Sequence, residues 1–178
     1  MTTPAWTLRV AHADEMAQLV AIDDEACSLY ADAGRPIVLS PHDPFVVAEY
    51  RRWRDALLQA RVVVAATPDD APVGFAALGW VDTEPFLQQV SVRRAWMRRG
   101  LGRALVEHAI RWGRGVLWLT TYADLPWNRP FYERLGFVRV DEGSCGPEMR
   151  RIFDEERRAL PAPDQRVAMV RRAERPIS

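Results

Sequence analysis

Between Arg61 and Thr121 the hydrophobic period changes in a fixed order, and that order constrains the fold more than any other feature of the chain. Arg61 to Ala66 (RVVVAA) is a β-branched run, Asp69-Asp70-Ala71-Pro72 is a turn and Val73 to Val81 is a second run, so the two runs read as a hairpin. Pro85 to Val92 follows as a third strand. From Gly100 to Trp112 the period becomes helical, with Leu101, Leu105, Ala109 and Trp112 on one stripe, and Val116 to Thr121 returns to strand. Strand, helix, strand is a crossover unit, which joins strands that lie parallel, whereas a hairpin joins antiparallel ones. One sheet must hold both.

The flanks extend the pattern. Trp6 to Val10 reads as a first strand, and Ala13 to Tyr30 as an amphipathic helix through Met16, Leu19, Val20 and Ile22, with Asp23, Asp24 and Glu25 at its acidic later turn. Pro44 to Ala60 is a second helix, opened by the Ser40-Pro41-His42-Asp43 cluster and apolar at Val47, Tyr50, Trp53, Leu57 and Leu58. Asn128 to Leu135 is a short helix stopped by Gly136, Phe137 to Val140 a strand, Pro147 to Leu160 a helix, and Arg166 to Val170 a last strand. The expected fold class is mixed α/β (α+β): a single domain over 1–178, with one mostly antiparallel twisted sheet flanked by helices on both faces. At 178 residues a chain buries roughly 70% of its unfolded surface, enough for a core without staples.

Composition removes several function classes. All 24 positive charges are arginine, so a P-loop with its Gly-Lys-Ser/Thr and any Schiff-base lysine are excluded. Cys27 and Cys145 are distant and form no C-x-x-C pair, which argues against a disulfide framework or a metal site, and the expected location is the cytoplasm. MTTPAWTLRV lacks a basic start and an apolar run, and no apolar stretch approaches the ~20 residues that span a bilayer, so neither secretion nor a membrane is expected. A formal net charge of zero offers no global field for nucleic acid. A homodimer is the commonest assembly for a domain of this kind.

Anion recognition must then come from local clustering. In Val90 to Leu105, VSVRRAWMRRGLGRAL, Arg93, Arg94, Arg98, Arg99 and Arg103 lie together with no acid among them, a local pocket of positive charge. Gly100 and Gly102 fall where a strand has ended and a helix begins, so unhindered N–H groups and the helix dipole point at one spot, where a phosphate would be held. G-x-G-x-x-G dinucleotide binding fails because position 105 is leucine. Taken alone, the arginines also read as a solvated face.

A second signal lies in Asn128 to Phe137, NRPFYERLGF. Together the two stretches resemble the GNAT N-acetyltransferase superfamily, whose pyrophosphate loop follows Q/R-x-x-G-x-G/A and whose later helix carries an asparagine, a tyrosine and a Gly-Phe. Here these are Met97-Arg98-Arg99-Gly100-Leu101-Gly102, then Asn128, Tyr132 and Gly136-Phe137. The likeness covers roughly 73–140, the expected cofactor core, and departs from the pattern at Met97. It implies acetyl-CoA as acyl donor, with no metal. It implies Arg98, Arg99, Gly100, Leu101, Gly102 and Arg103 around the diphosphate, mainly through main-chain amides, and Asn128 against the pantetheine arm. The arm would lie along Gln88 to Val92, pairing with Val90 and Val92 beside Ser91, and an N–H near Val90 would face the thioester carbonyl.

Acyl transfer to an amine needs a neutral nucleophile, stabilisation of the tetrahedral oxyanion and a proton for the departing thiolate. The resemblance makes Tyr132 the proton donor; from spacing alone it reads equally as core packing beside Phe131. Many relatives carry a glutamate on the strand, where this chain has Phe86-Leu87-Gln88-Gln89, and an amide takes no proton. Glu84, Asp82 and the Asp23, Asp24, Glu25 group are the remaining bases, and the choice among them stays open. Trp127 and Tyr122 are candidate walls of the acceptor pocket. The expected function is transfer of acetyl from acetyl-CoA to a primary amine of a small molecule or peptide, by direct attack on the thioester. The alternative is a non-catalytic acyl-CoA-binding sensor or partner module.

Overall fold

The run Val62–Ala66 forms a strand (β2) buried along its whole length, because both faces of the sheet are covered there. Val62, Val64 and Ala66 pack with Leu19, Ile22, Trp53 and Phe75 beneath α1 (Met16–Asp32) and α2 (Pro44–Leu58). Val63 and Ala65 point the other way, into a cluster with Leu101, Leu105 and Ala109 of α3 (Leu101–Trp112). Successive side chains of a strand alternate faces, and a strand covered twice has no polar face to show.

The computed structural model describes residues 5–173; the ends of the expected 1–178 domain lie outside the described residues. Among the described residues seven strands form one sheet in the order β1-β2-β3-β4-β5-β7-β6. The other strands are β1 (Thr7–Val10), β3 (Pro72–Val81), β4 (Glu84–Val92), β5 (Val116–Tyr122), β6 (Val138–Val140) and β7 (Arg166–Arg172). Neighbours run antiparallel except β4 and β5, which α3 joins as a parallel pair. A short α4 (Arg129–Glu133) follows β5, and α5 (Pro147–Ala159) covers a third cluster through Met149, Ile152 and Phe153. Among the described residues no helix is long and apolar enough to cross a membrane.

Two irregularities shape the sheet. Ala77 pairs with Gln89 but Leu78 with Leu87, so Gln88 is the extra residue of a bulge, which bends β4. Beyond the bulge β4 and β5 part: they pair only at Phe86 and Trp118. The diverging halves, Gln88–Val92 and Thr120–Tyr122, are the two sides of a wedge-shaped gap.

The third strand begins at Glu84, one residue before the expected Pro85, and a two-residue turn joins it to β3, with Val81 opposite Glu84. Asp82 and Thr83 both have positive φ (47° and 67°), the twist that a tight hairpin of right-handed strands requires. The expected acidic helix end at Asp23 to Glu25 lies in mid-helix, since α1 continues to Asp32. Asp43, the last residue of the opening cluster, caps α2 by accepting from the Phe45 N–H at 2.8 Å.

Candidate active site

The gap between β4 and β5 opens into a cleft of about 970 Å³, lined by α1, α2, the start of α3, α4 and the ends of α5 and β7. The Arg93 N–H donates to the Val73 carbonyl at 2.9 Å, so residue 93 turns its main-chain groups towards β3. In an antiparallel ladder these groups alternate sides, which turns Ser91 towards β3 and the N–H and C=O of Val90 and Val92 into the gap. There β5 has already diverged. Val90 and Val92 thus present an unpaired strand edge to the cleft.

That edge leads to the start of α3. Arg98 and Gly100 both adopt the left-handed region, with φ of 59° and 84°, and Gly100 suits it because glycine has no Cβ to clash. For Arg98 the same conformation is strained by roughly 1–2 kcal/mol. The Ala104 N–H donates to the Gly100 carbonyl. Among the described residues the six N–H groups from Arg98 to Arg103 have no protein acceptor, and no side chain caps the helix. A run of free N–H groups at a helix N-terminus is a cradle for an anion.

The charge around the cradle is smaller than the arginine count implies. Arg93 donates to Glu25 at 2.7 Å and Arg94 to Asp32 at 2.6 Å, both acids on α1, and Arg103 pairs with Glu107 at 2.8 Å. The expected pocket of five uncompensated arginines is corrected to two, Arg98 and Arg99, because α1 packs its acids against Arg93 and Arg94 and α3 pairs Arg103 with its own Glu107. Of these, Arg98 lines the cleft, while Arg99 stacks on Trp96 at 5.1 Å. The Leu101 side chain is buried in the core, so it and Arg99 reach the cradle only through their main chain. Gly102 and Arg103 line the cleft directly.

At the other end of the gap α4 brings Asn128 and Tyr132 together. Asn128 is buried at the N-cap position, but its side chain caps nothing; its Nδ2 donates to the Tyr30 hydroxyl at 3.4 Å while its main-chain carbonyl accepts from the Phe131 and Tyr132 N–H groups. Tyr132 is packed edge-on against Phe131 and Phe137, with ring centres 5.1 and 5.7 Å away, and its hydroxyl makes no hydrogen bond among the described residues. Burial pushes this phenol above its ordinary value, with the Tyr30 phenol adding to the shift and Arg166 opposing it. Tyr132 therefore stays protonated through the physiological range.

Of the expected bases, two are engaged elsewhere. Glu84 accepts from Trp118 Nε1 and from both terminal nitrogens of Arg172, which hold its carboxyl below the usual range, and Asp82 accepts from the Glu148 and Met149 N–H groups of α5. Glu25 is paired with Arg93. Asp23 and Asp24 remain at the cleft. Asp23 Oδ1 accepts from Ser91 Oγ at 2.6 Å and Gln89 Nε2 at 2.5 Å, and burial raises its carboxyl.

Other lining residues come from beyond the motifs. Glu49 of α2 is pushed up to about 7 by burial, although Arg52 pulls it down. Glu156 and Arg166 form a buried pair at 2.8 Å, joined by Thr120. Tyr30, Tyr122 and Trp127 make an aromatic wall, with ring centres 5.6 and 6.3 Å from Tyr30. Asp23, Glu49 and Tyr30 each sit on the apolar stripe of a helix, Asp23 four residues after Leu19 and Glu49 between Val46 and Trp53. For Asp23 and Glu49, a carboxylate at a core position is the one sequence signal that marks them. Arg166 has no such signal.

A family model for the Acetyltransferase (GNAT) family matches residues 21–137, about two thirds of the chain. The chain belongs to this family. Solved structures share the GNAT fold. The acetyltransferase of GNAT family from Staphylococcus aureus Mu50 superposes with a TM-score of 0.66 at 14% identity, covering 96% of this chain and 100% of the other. The PaiA N-acetyltransferase of Thermoplasma acidophilum, in complex with coenzyme A, gives 0.66 at 13% identity over 97% and 99%. The N-acetylglutamate synthase of Neisseria gonorrhoeae, complexed with coenzyme A and N-acetyl-glutamate, gives 0.65 at 18% identity. The match covers 98% of this GNAT chain but only 36% of the synthase, so the chain spans about a third of that relative. Membership of the GNAT family supports acyl transfer from an acyl-CoA donor.

Proposed function

We propose that the protein moves an acetyl group from acetyl-CoA to the primary amine of a small molecule or peptide, by direct attack of the amine on the thioester. The observation that carries this reading is the continuous path from the free N–H groups at Arg98–Arg103, along the unpaired edge at Val90 and Val92, to the unbonded hydroxyl of Tyr132. The diphosphate lies on the N–H cradle, with Arg98 and Arg103 beside it. The two amides of the arm pair with Val90 and Val92 as an added strand would, and the Asn128 side chain meets the arm. An acetyl group at the end of the arm then has its carbonyl at the Val90 N–H, which is oriented before the oxyanion forms.

Tyr132 donates to the departing sulfur. A thiol titrates near 8.5 and the buried phenol well above that, so full proton transfer to the thiolate is uphill. The contribution of Tyr132 is therefore a hydrogen bond that strengthens as negative charge grows on sulfur, and any phenolate formed recaptures a proton at once. Tyr132→Phe lowers turnover about 10²-fold with little change in coenzyme affinity, read as thiol release and as calorimetric titration. Full activity of the variant at every pH would remove Tyr132 from the mechanism.

A second reading, a non-catalytic acyl-CoA sensor or partner module, draws on Gln88 and Gln89 standing where a strand carboxylate would be. Both readings require coenzyme binding. Thiol release with a panel of primary amines separates them, since a sensor stays silent throughout.

A further inference from the structure

We infer that Asp23 is the catalytic group that receives the ammonium of the acceptor and takes its proton, an inference that rests on the acyl-transfer reading above. The position of its carboxylate is the first argument. Oδ1 is held by the side chains of Gln89 and Ser91, the two residues that flank Val90, at 2.5 and 2.6 Å. Val90 is the residue whose N–H meets the thioester carbonyl in that reading. A carboxylate pinned to both neighbours of Val90 lies over the segment where the thioester carbon is expected, on the side from which α1 covers the sheet.

The second argument is charge. Glu25, Asp32, Glu49, Glu107 and Glu156 each have an arginine partner. Asp23 has none among the described residues; its third contact is the weak Cys27 Sγ donor at 3.8 Å. The groups that act on it are neutral or acidic, namely Asp24, Cys27 and Tyr30 from α1, Glu49 and Tyr50 from α2, Gln89 and Ser91 from β4; the cations Arg52 and Arg166, which act on Glu49 and Tyr30, are themselves paired with Glu49 and Glu156. A buried carboxylate without a cation is costly, and proteins normally supply one. The arrangement is completed by a cation brought from outside, an alkylammonium. Tyr30, Tyr122 and Trp127 offer apolar surface for the rest of the acceptor.

The proton balance closes. The ammonium gives one proton to Asp23, which releases it to solvent. The neutral amine forms the C–N bond as the carbonyl becomes an oxyanion. Collapse breaks C–S, and the second nitrogen proton ends on the thiolate, with Tyr132 as hydrogen-bond donor. Ammonium, thioester and carboxylate become amide, thiol, carboxylate and one solvent proton.

The test is steady-state thiol release from acetyl-CoA with 2-phenylethylamine, hexylamine and a short peptide with a free N-terminus, for wild type, Asp23→Asn, Ser91→Ala and Glu49→Gln. Asp23→Asn keeps an oxygen for Ser91 and Gln89, and calorimetric titration with coenzyme A reports whether it is folded. Expected is a loss in kcat/KM of about 10²-fold or more with coenzyme affinity unchanged. The pH profile adds a readout that a structural role would not move. Wild type levels off below the pKa of the amine, whereas Asp23→Asn rises about tenfold per pH unit, following the free amine. Ser91→Ala removes a donor that favours the ionised carboxyl, so the acidic limb shifts to higher pH. Wild-type kinetics in folded Asp23→Asn, or loss of the plateau in Glu49→Gln alone, overturns the inference while leaving acyl transfer standing. Silence of wild type with every amine overturns the acyl-transfer reading and this inference with it.

Discussion

Two helices of this protein begin just after a glycine, α3 after Gly100 and α5 after Gly146, and their N-termini are treated in opposite ways. At α5 the ends are closed by side chains: Asp82, from the distant β3–β4 turn, accepts from the Glu148 and Met149 N–H groups at 2.9 and 3.0 Å, and Glu148 accepts the Asp82 N–H in return. A Cβ on Gly146 would lie 2.2 Å from Asp82 Cγ, so the glycine is there to admit a carboxylate. At α3 no side chain comes near; a Cβ on Gly100 would meet nothing within 4 Å. Helix N–H groups are satisfied either from within the protein or from outside it. The contrast teaches that a helix start left open at the mouth of a cleft keeps its N–H groups available to a ligand, as the proposed function requires, whereas the same start closed by a carboxylate is a structural joint.

The sharpest way to break this contrast is to close α3 as α5 is closed. Gly102→Asp has room, its Cβ meeting only Val92 Cγ2 at 4.0 Å, and places a carboxylate at the second helical position. Coenzyme A affinity falls about 10²-fold or more through like-charge repulsion, while Tm holds or rises slightly because an acid in the first turn suits the dipole. Calorimetry and thermal unfolding check both, and unchanged affinity would remove the cradle from the site. The converse change is Asp82→Ala, which opens α5. It costs about 2 kcal/mol of stability through loss of the cap, seen in denaturant midpoints, with coenzyme affinity unchanged.

Gly146→Ala evicts the same carboxylate and loses about 1–2 kcal/mol. Added to Asp82→Ala it costs little more, because the two act on one contact; a fully additive double variant would contradict the shared origin. The smallest effect belongs to Arg99→Ala. Its guanidinium stacks on Trp96 rather than facing the cleft, so coenzyme affinity changes by less than about threefold, and a larger loss would show that charge outweighs the main chain at the cradle.

The cradle was legible because it is made of local main chain. Gly100 and Gly102 state where the chain turns and where the backbone is bare, and the switch from strand to helical period around them gives the N-terminus its direction. Asn128 and Tyr132 were marked only by the family spacing, and the contact of Asn128 with Tyr30, ninety-eight residues away, has no local signal. The arginine run misled for the same reason: Glu25 and Asp32, which neutralise Arg93 and Arg94, are more than sixty residues upstream.

By itself the sequence determined the elements, their order, the glycine-opened helix and the crossover that requires β4 and β5 to lie parallel. These follow from periodicity and backbone preference, which act within a few residues. Tertiary structure alone decided that Asp82 and Glu84 are structural, that Asp23 rests on Gln89 and Ser91, and that Glu49 and the Glu156–Arg166 pair line the cleft. The fate of a carboxylate depends on which donors and cations packing brings within about 3 Å of it, and those come from elements far apart along the chain.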